Sequence, residues 1–214
     1  MAWLFIKGGP VMYAILVVSM LGLAIIIEKI WGLFSIRLNV QKFSKEVFAL
    51  LSAHEFDKAL KLCQKRSKHP IAVLFKLGIE KRALPVNELD RLLERVGNSE
   101  MNRLEKHIGG LISVIGIEPL LGFLGTITGL IRAFMAWETA GSNITVSALA
   151  SGIYEAMITT AAGLSVAVPY YLICNFIISR NKYISYELSN YSMQLVEVLH
   201  TKKLVGHDKD TAAE

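Results

Sequence analysis

Two cysteines in 214 residues, Cys63 and Cys174, and no CxxC spacing argue against a disulfide framework and a thiolate metal site. The five histidines are scattered, with neither an HExxH nor a His pair at metal spacing, so no metal site is expected. A nucleotide-binding motif and a nucleophile–base set are also missing, so the chain is read as neither an enzyme nor a cofactor carrier. It has no internal repeat and no low-complexity segment. The most telling shortage is of charge in three long stretches. Gly8 to Ile27 and Ala156 to Ser179 carry none, and Ile108 to Ile131 carries only Glu118.

About 20 apolar residues span a bilayer as a helix, and each stretch is that long. The 53% hydrophobic content is concentrated in these runs rather than spread as in a soluble core. Charge fixes the expected orientation. Sixteen Lys/Arg fall in 28–107 and five from Arg180 onward, whereas Lys7 and Arg132 are the only ones in the first seven residues and in 132–155. Positive charge stays on the cytoplasmic side. The net charge of +5 is then a consequence of topology, not a sign of nucleic-acid binding. The first run is too long for a cleaved signal peptide, and no small-x-small cleavage site follows it.

The expected organisation is an all-α, multi-pass membrane protein. Residues 1–9 form a periplasmic N-terminus and 10–30 a first transmembrane helix. Residues 31–107 form a cytoplasmic helical domain, 108–135 a second span, 136–151 a short periplasmic loop and 152–179 a third span. Residues 180–214 form a cytoplasmic helix and tail, frayed from Lys202 onward. Pro10 suits a first helical turn. In the cytoplasmic domain Phe43, Val47, Leu50 and Leu51 have the spacing of an amphipathic helix, and Phe56, Leu60 and Leu62 repeat it. Pro70 and Pro85 punctuate. Asn87 reads as the N-cap of a helix with the stripe Leu89, Leu92, Leu93, Val96, Met101 and Leu104. Only glycines separate that stripe from the second span, so one long helix is expected there. Tyr183, Tyr186, Leu188, Tyr191, Leu195 and Val198 likewise extend the third.

At 100° per residue, Gly122, Gly125, Thr126, Gly129, Ala133 and Glu118 share one small and polar face of the second span. Ala156, Thr160, Gly163 and Ala167 form a matching stripe on the third, flanked by Glu155 and Thr159. Glycine stripes on their own fit helix–helix contacts, and Gly125-x-x-x-Gly129 is a close-packing spacing. The two glutamates point further. A carboxylate near mid-membrane costs on the order of 3 kcal/mol and marks a path or a pair. No lysine or arginine lies in the central part of any span to pair with one. Glu155 near the outer end of its helix could also be merely interfacial. Pro119 frees a carbonyl one turn earlier, which suits a lined cavity. By depth, Thr126 and Thr160 are expected to form one threonine layer between Glu155 and Glu118.

The segments Pro119-Leu-Leu-Gly-Phe-Leu-Gly-Thr-Ile-Thr-Gly-Leu130 and Gly152-Ile-Tyr-Glu-Ala-Met-Ile-Thr-Thr-Ala-Ala-Gly-Leu164, with Ala167-Val-Pro169 and Asn175, resemble the MotA/TolQ/ExbB proton-channel family, most closely its ExbB/TolQ branch. The resemblance implies a pentamer in the bacterial inner membrane, in contact with lipid. Its central pore would hold the membrane helices of a dimeric, single-span ExbD- or TolR-like partner. Ion flow would then energise a TonB- or TolA-like protein. It implies pore-facing roles for Thr126 and Thr160 and an ion-path role for Glu155. The sequence departs from the family at Glu118, where a small residue is expected, and this bears on how ions leave and which ion is used. The rival from another class is an oligomeric membrane scaffold that conducts nothing. A small-solute transporter is a poorer fit, because three spans without a repeat make a poor midplane site.

Overall fold

The computed structural model describes residues 7–36, 38–140 and 146–210, which are mostly helical with no strand among them. The helices are α1 (Gly9–Ser35), α2 (Val40–Ser52), α3 (Phe56–Lys65), α4 (Pro70–Glu80), α5 (Val86–Glu105), α6 (Ile108–Ala140) and α7 (Val146–Asp210). Stretches of α1, α6 and α7 are long and apolar enough to cross a membrane. The chain forms two compact units. One comprises residues up to Ile30 with His107–Ile177, and the other comprises Trp31–Lys106 with the chain from Ile178.

The first unit consists of most of α1, all of α6 and the first half of α7. Met12, Ile15, Gly22 and Ile26 of α1 are buried, while Tyr13, Val17, Met20, Leu21 and Ile27 stay exposed. A helix that is apolar on both faces suits a lipid surround better than water. Gly22 permits a close approach, since a methyl there would lie 2.6 Å from the Tyr170 ring and 2.8 Å from Val114. The Tyr170 hydroxyl donates to the Ser19 carbonyl oxygen at 2.8 Å. Prolines 119 and 169 lie inside α6 and α7.

The second unit has its own core. Asn39 caps α2 by accepting the Lys42 N–H at 3.1 Å. Phe43, Val47 and Leu51 of α2 meet Ala59 and Cys63 of α3, Ile71, Leu74, Phe75 and Ile79 of α4, and Leu89 and Leu93 of α5, with Ile184, Leu188 and Leu195 of α7 closing the cluster. Phe75 lies at its centre, its ring centroid 6.0 Å from Phe43, 5.3 Å from Phe48 and 6.2 Å from Tyr191. Burial pushes the Cys63 thiol up to about 12. Buried His69 caps α4, its Nδ1 accepting the Ile71 N–H at 3.2 Å. Burial, and then the Arg180 charge, push its pKa down to about 4.

Several boundaries differ from the sequence reading. Pro70 does not merely punctuate; it opens α4, the most thoroughly buried helix of this unit, because a first-turn proline sacrifices no hydrogen bond. Asn87 is not a cap. Pro85 takes that position, its carbonyl oxygen accepting the Glu88 and Leu89 N–H groups at 3.1 and 2.9 Å. The helix expected to run on from Asn87 into the second span is interrupted, with Lys106 extended (ψ 136°) and His107 left-handed (φ 67°). Histidine tolerates that region better than most side chains, and His107 Nδ1 is held 3.0 Å from the Glu28 carboxylate. The connection expected at 136–151 is shorter, because helix continues to Ala140 and resumes at Val146. Thr139 bonds back to Met135 at 2.8 Å, and no glycine or proline intervenes before Gly141. The backbone expected to fray from Lys202 is helical to Asp210, with no proline after Pro169 to stop it.

Candidate functional site

Where α6 and α7 lie against each other, they are antiparallel and almost without side chains between them. A methyl on Gly129 would lie 2.7 Å from the Gly152 carbonyl oxygen and 2.8 Å from the Ala156 nitrogen. One on Gly163 would lie 2.6 Å from the Glu118 carbonyl oxygen and 3.3 Å from the Gly122 Cα. Gly125 faces the Thr159 side chain and Gly122 faces the backbone of Thr160. Without a hydrophobic drive between helices in lipid, such backbone proximity is what lets dispersion hold them together.

The structure thus brings Gly122, Gly125, Gly129, Ala156 and Gly163 into one interface, and Ala133 and Ala167 are buried as well. Thr160 is half-buried and its hydroxyl is shared between the Gly122 and Ala156 carbonyl oxygens at 3.1 and 3.2 Å. Thr126 is half-buried and donates to Phe123 O at 2.6 Å. The two do not share a level. Thr160 sits opposite Gly122, so Thr126 lies about one turn, roughly 6 Å, further along α6. The single threonine layer is therefore replaced by two steps, and the fully buried hydroxyl is that of Thr159, which donates to the Glu155 and Ala156 carbonyl oxygens at 3.0 Å.

Glu155 is buried and paired. Arg132 Nη1 lies 2.8 Å from each of its carboxylate oxygens. A methyl on Gly9, at the start of α1, would meet the same carboxylate and lie 3.2 Å from that guanidinium nitrogen. Sequence reasoning placed Arg132 only as a charge in a connection and missed this pairing. The available signal was the antiparallel register, in which 129 faces 152 and 156 and therefore sets 132 close to 155. Glu118 is fully buried, with no hydrogen-bond partner for either carboxylate oxygen among the described residues. It lies between the helices of this unit rather than on their surface. Tyr170, whose ring meets Gly22 beside Val114, one turn before Glu118, also went unnoticed in the sequence.

The residues that build this α6–α7 contact lie in a segment matched by a family model. The family model of the MotA/TolQ/ExbB proton channel family matches residues 66–190. A Synechocystis protein named as a biopolymer transport protein, ExbB-like 1, is 37% identical over 180 residues, covering 82% of this chain and 69% of that protein. An ExbB homolog of Methanothermobacter thermautotrophicus is 30% identical over 172 residues, 77% of this chain and 58% of its own length. The Tol-Pal system protein TolQ of Haemophilus influenzae is 33% identical over 110 residues, 51% and 48% of the two chains.

Proposed function

Because this chain belongs to the MotA/TolQ/ExbB proton channel family, we propose that it is the channel-forming stator subunit of an ion-driven motor in a bacterial inner membrane. Five copies surround a pore that holds the helices of a dimeric ExbD- or TolR-like partner. Ion flow through the assembly energises a TonB- or TolA-like protein for outer-membrane transport or envelope maintenance. The N-terminus and the α6–α7 connection face the periplasm, and residues 31–107 and 180–214 face the cytoplasm.

The observation that supports this reading is the half-buried pair of threonines, Thr126 and Thr160, within the segment that the family model matches. Thr126 and Thr160 have hydroxyls bonded to the backbone, and each keeps part of its surface free to face a pore. Glu155, one turn before Thr159, supplies a carboxylate at the periplasmic end. One charge crossing 100 mV releases about 2.3 kcal/mol, so a few ions per step suffice to bias two packings of the partner. The scaffold reading has an observation of its own, because the glycine stripes are consumed by α6–α7 packing inside the chain.

Thr160→Leu separates the two. The variant is reconstituted with a co-expressed single-span partner and followed by native mass spectrometry and ion flux. Lost flux from an intact five-copy assembly supports the pore. Loss of the oligomer itself leaves the scaffold in front.

A further inference from the structure

Of the two buried acids in the first unit among the described residues, Glu155 and Glu118, the second is the one without a partner. Glu155 has Arg132, whereas the Glu118 oxygens have no partner among the described residues. No charge is available to it along the helices. Apart from Glu118, α6 carries none between His107 and Arg132, α7 none between Glu155 and Arg180, and α1 none between Gly8 and Ile27. On α7, the Tyr170 ring meets Gly22 beside Val114, one turn before Glu118, and its hydroxyl proton is committed to Ser19. From α1, Gly22 faces that ring and contributes no side chain. A lone carboxylate so enclosed is heavily penalised by lost hydration, whereas the neutral acid is penalised far less. A metal cation needs several converging ligands, and no cluster of three His, Cys, Asp or Glu exists among the described residues.

We propose that Glu118 is a proton-binding site inside the three-helix unit of this chain: it rests as the neutral acid between α1, α6 and α7, and gives up its proton when that packing opens. On opening, the O–H bond breaks, the proton passes to admitted water and the electron pair stays on the carboxylate. Tyr170 latches the packing through Ser19, and Gly22 gives the ring its seat. Protonation state and helix packing are thereby one equilibrium. The use of this proton in conduction rests on the function proposed above. The protonation state does not.

Infrared spectra of the full chain in lipid nanodiscs at neutral pH test it directly. The expected result is a protonated-carboxyl carbonyl band that shifts in D2O, is lost in Glu118→Gln, and is unmoved by sodium. A spectrum with no such band, or a band that sodium abolishes, overturns the proposal, the second by making the site a sodium site. Should Glu118→Gln fail to fold, the wild type is treated with an apolar carbodiimide, which modifies protonated acids, and mapped by mass spectrometry. Modification at Glu118 that sodium does not suppress supports the site, and its absence or protection by sodium overturns it. A band at Glu118 in an assembly that shows no flux still supports the site while counting against the motor.

Discussion

Arg132 on α6 and Glu155 on α7 are joined by one guanidinium nitrogen, 2.8 Å from both carboxylate oxygens. The carboxylate is 9% exposed and the arginine 49%, so the acid depends on the base more than the reverse. Arg132→Gln is expected to destabilise the first unit by about 1–3 kcal/mol, since it leaves a buried acceptor without its partner. The exchange Arg132→Glu with Glu155→Arg should recover most of that loss in thermal unfolding in nanodiscs. If Glu155 also receives ions, flux does not return with stability. An exchanged pair no more stable than the single variant would refute the pairing.

Gly163 and Gly32 make a matched contrast. A methyl on Gly163 would meet the Glu118 carbonyl oxygen at 2.6 Å, whereas nothing lies within 4 Å of one on Gly32. Gly163→Ala should cost roughly 1–3 kcal/mol through overpacking. Gly32→Ala should be neutral or gain about 0.5–1 kcal/mol from helix propensity. Equal melting temperatures for the two variants would refute the close α6–α7 approach.

Tyr170→Phe removes the hydroxyl that donates to Ser19 at 2.8 Å while keeping the ring against Gly22. The expected loss is about 0.5–1.5 kcal/mol. Hydrogen exchange should also quicken in α1 around Ser19 and leave the second unit untouched. Unchanged exchange around Ser19 would mean that the bond does not hold α1.

His69 makes the second unit sensitive to acid. Its folded pKa, lowered to about 4 by burial and then by Arg180, lies below the unfolded value of 6.5. The unfolded chain therefore binds more protons between those values. Its contribution is complete above pH 6.5 and is lost as pH falls toward 4, amounting to roughly 3 kcal/mol. Protonation also removes the Nδ1 lone pair that accepts the Ile71 N–H. Exchange at Ile71 should accelerate with acid in the wild type and lose that dependence in His69→Asn, which keeps a capping oxygen. An Ile71 amide indifferent to pH between 4 and 6.5 would sink this account.

Periodicity and charge made the apolar stretches and the amphipathic α2, α3 and α5 legible, because burial of one face writes itself into spacing. The small faces of α6 and α7 were legible for the same reason, because Gly122, Gly125, Gly129 and Gly163 fall at helical spacing. What escaped depends on partners remote in sequence. The α5–α6 break at His107 is held by Glu28, and no local breaker announces it. Pro70 reads alike as a stop or a start, and only the burial of Ile71, Leu74 and Phe75 decides. The Arg132–Glu155 pair requires the antiparallel register, which spacing along one helix cannot supply. Glu118 stood out in the sequence as a charge in an apolar run, but its lack of a partner is a fact of three helices at once.

Both native thiols lie out of reach of water. Cys63 is fully enclosed by the α2–α5 core with its pKa pushed up to about 12, and Cys174 is 3% exposed within α7. Water-borne thiol reagents attack through the thiolate and need access. The natural chain is therefore already silent to them, and cysteines placed one at a time along α6 and α7 would report their own surroundings against a blank background, with no native residue replaced beforehand.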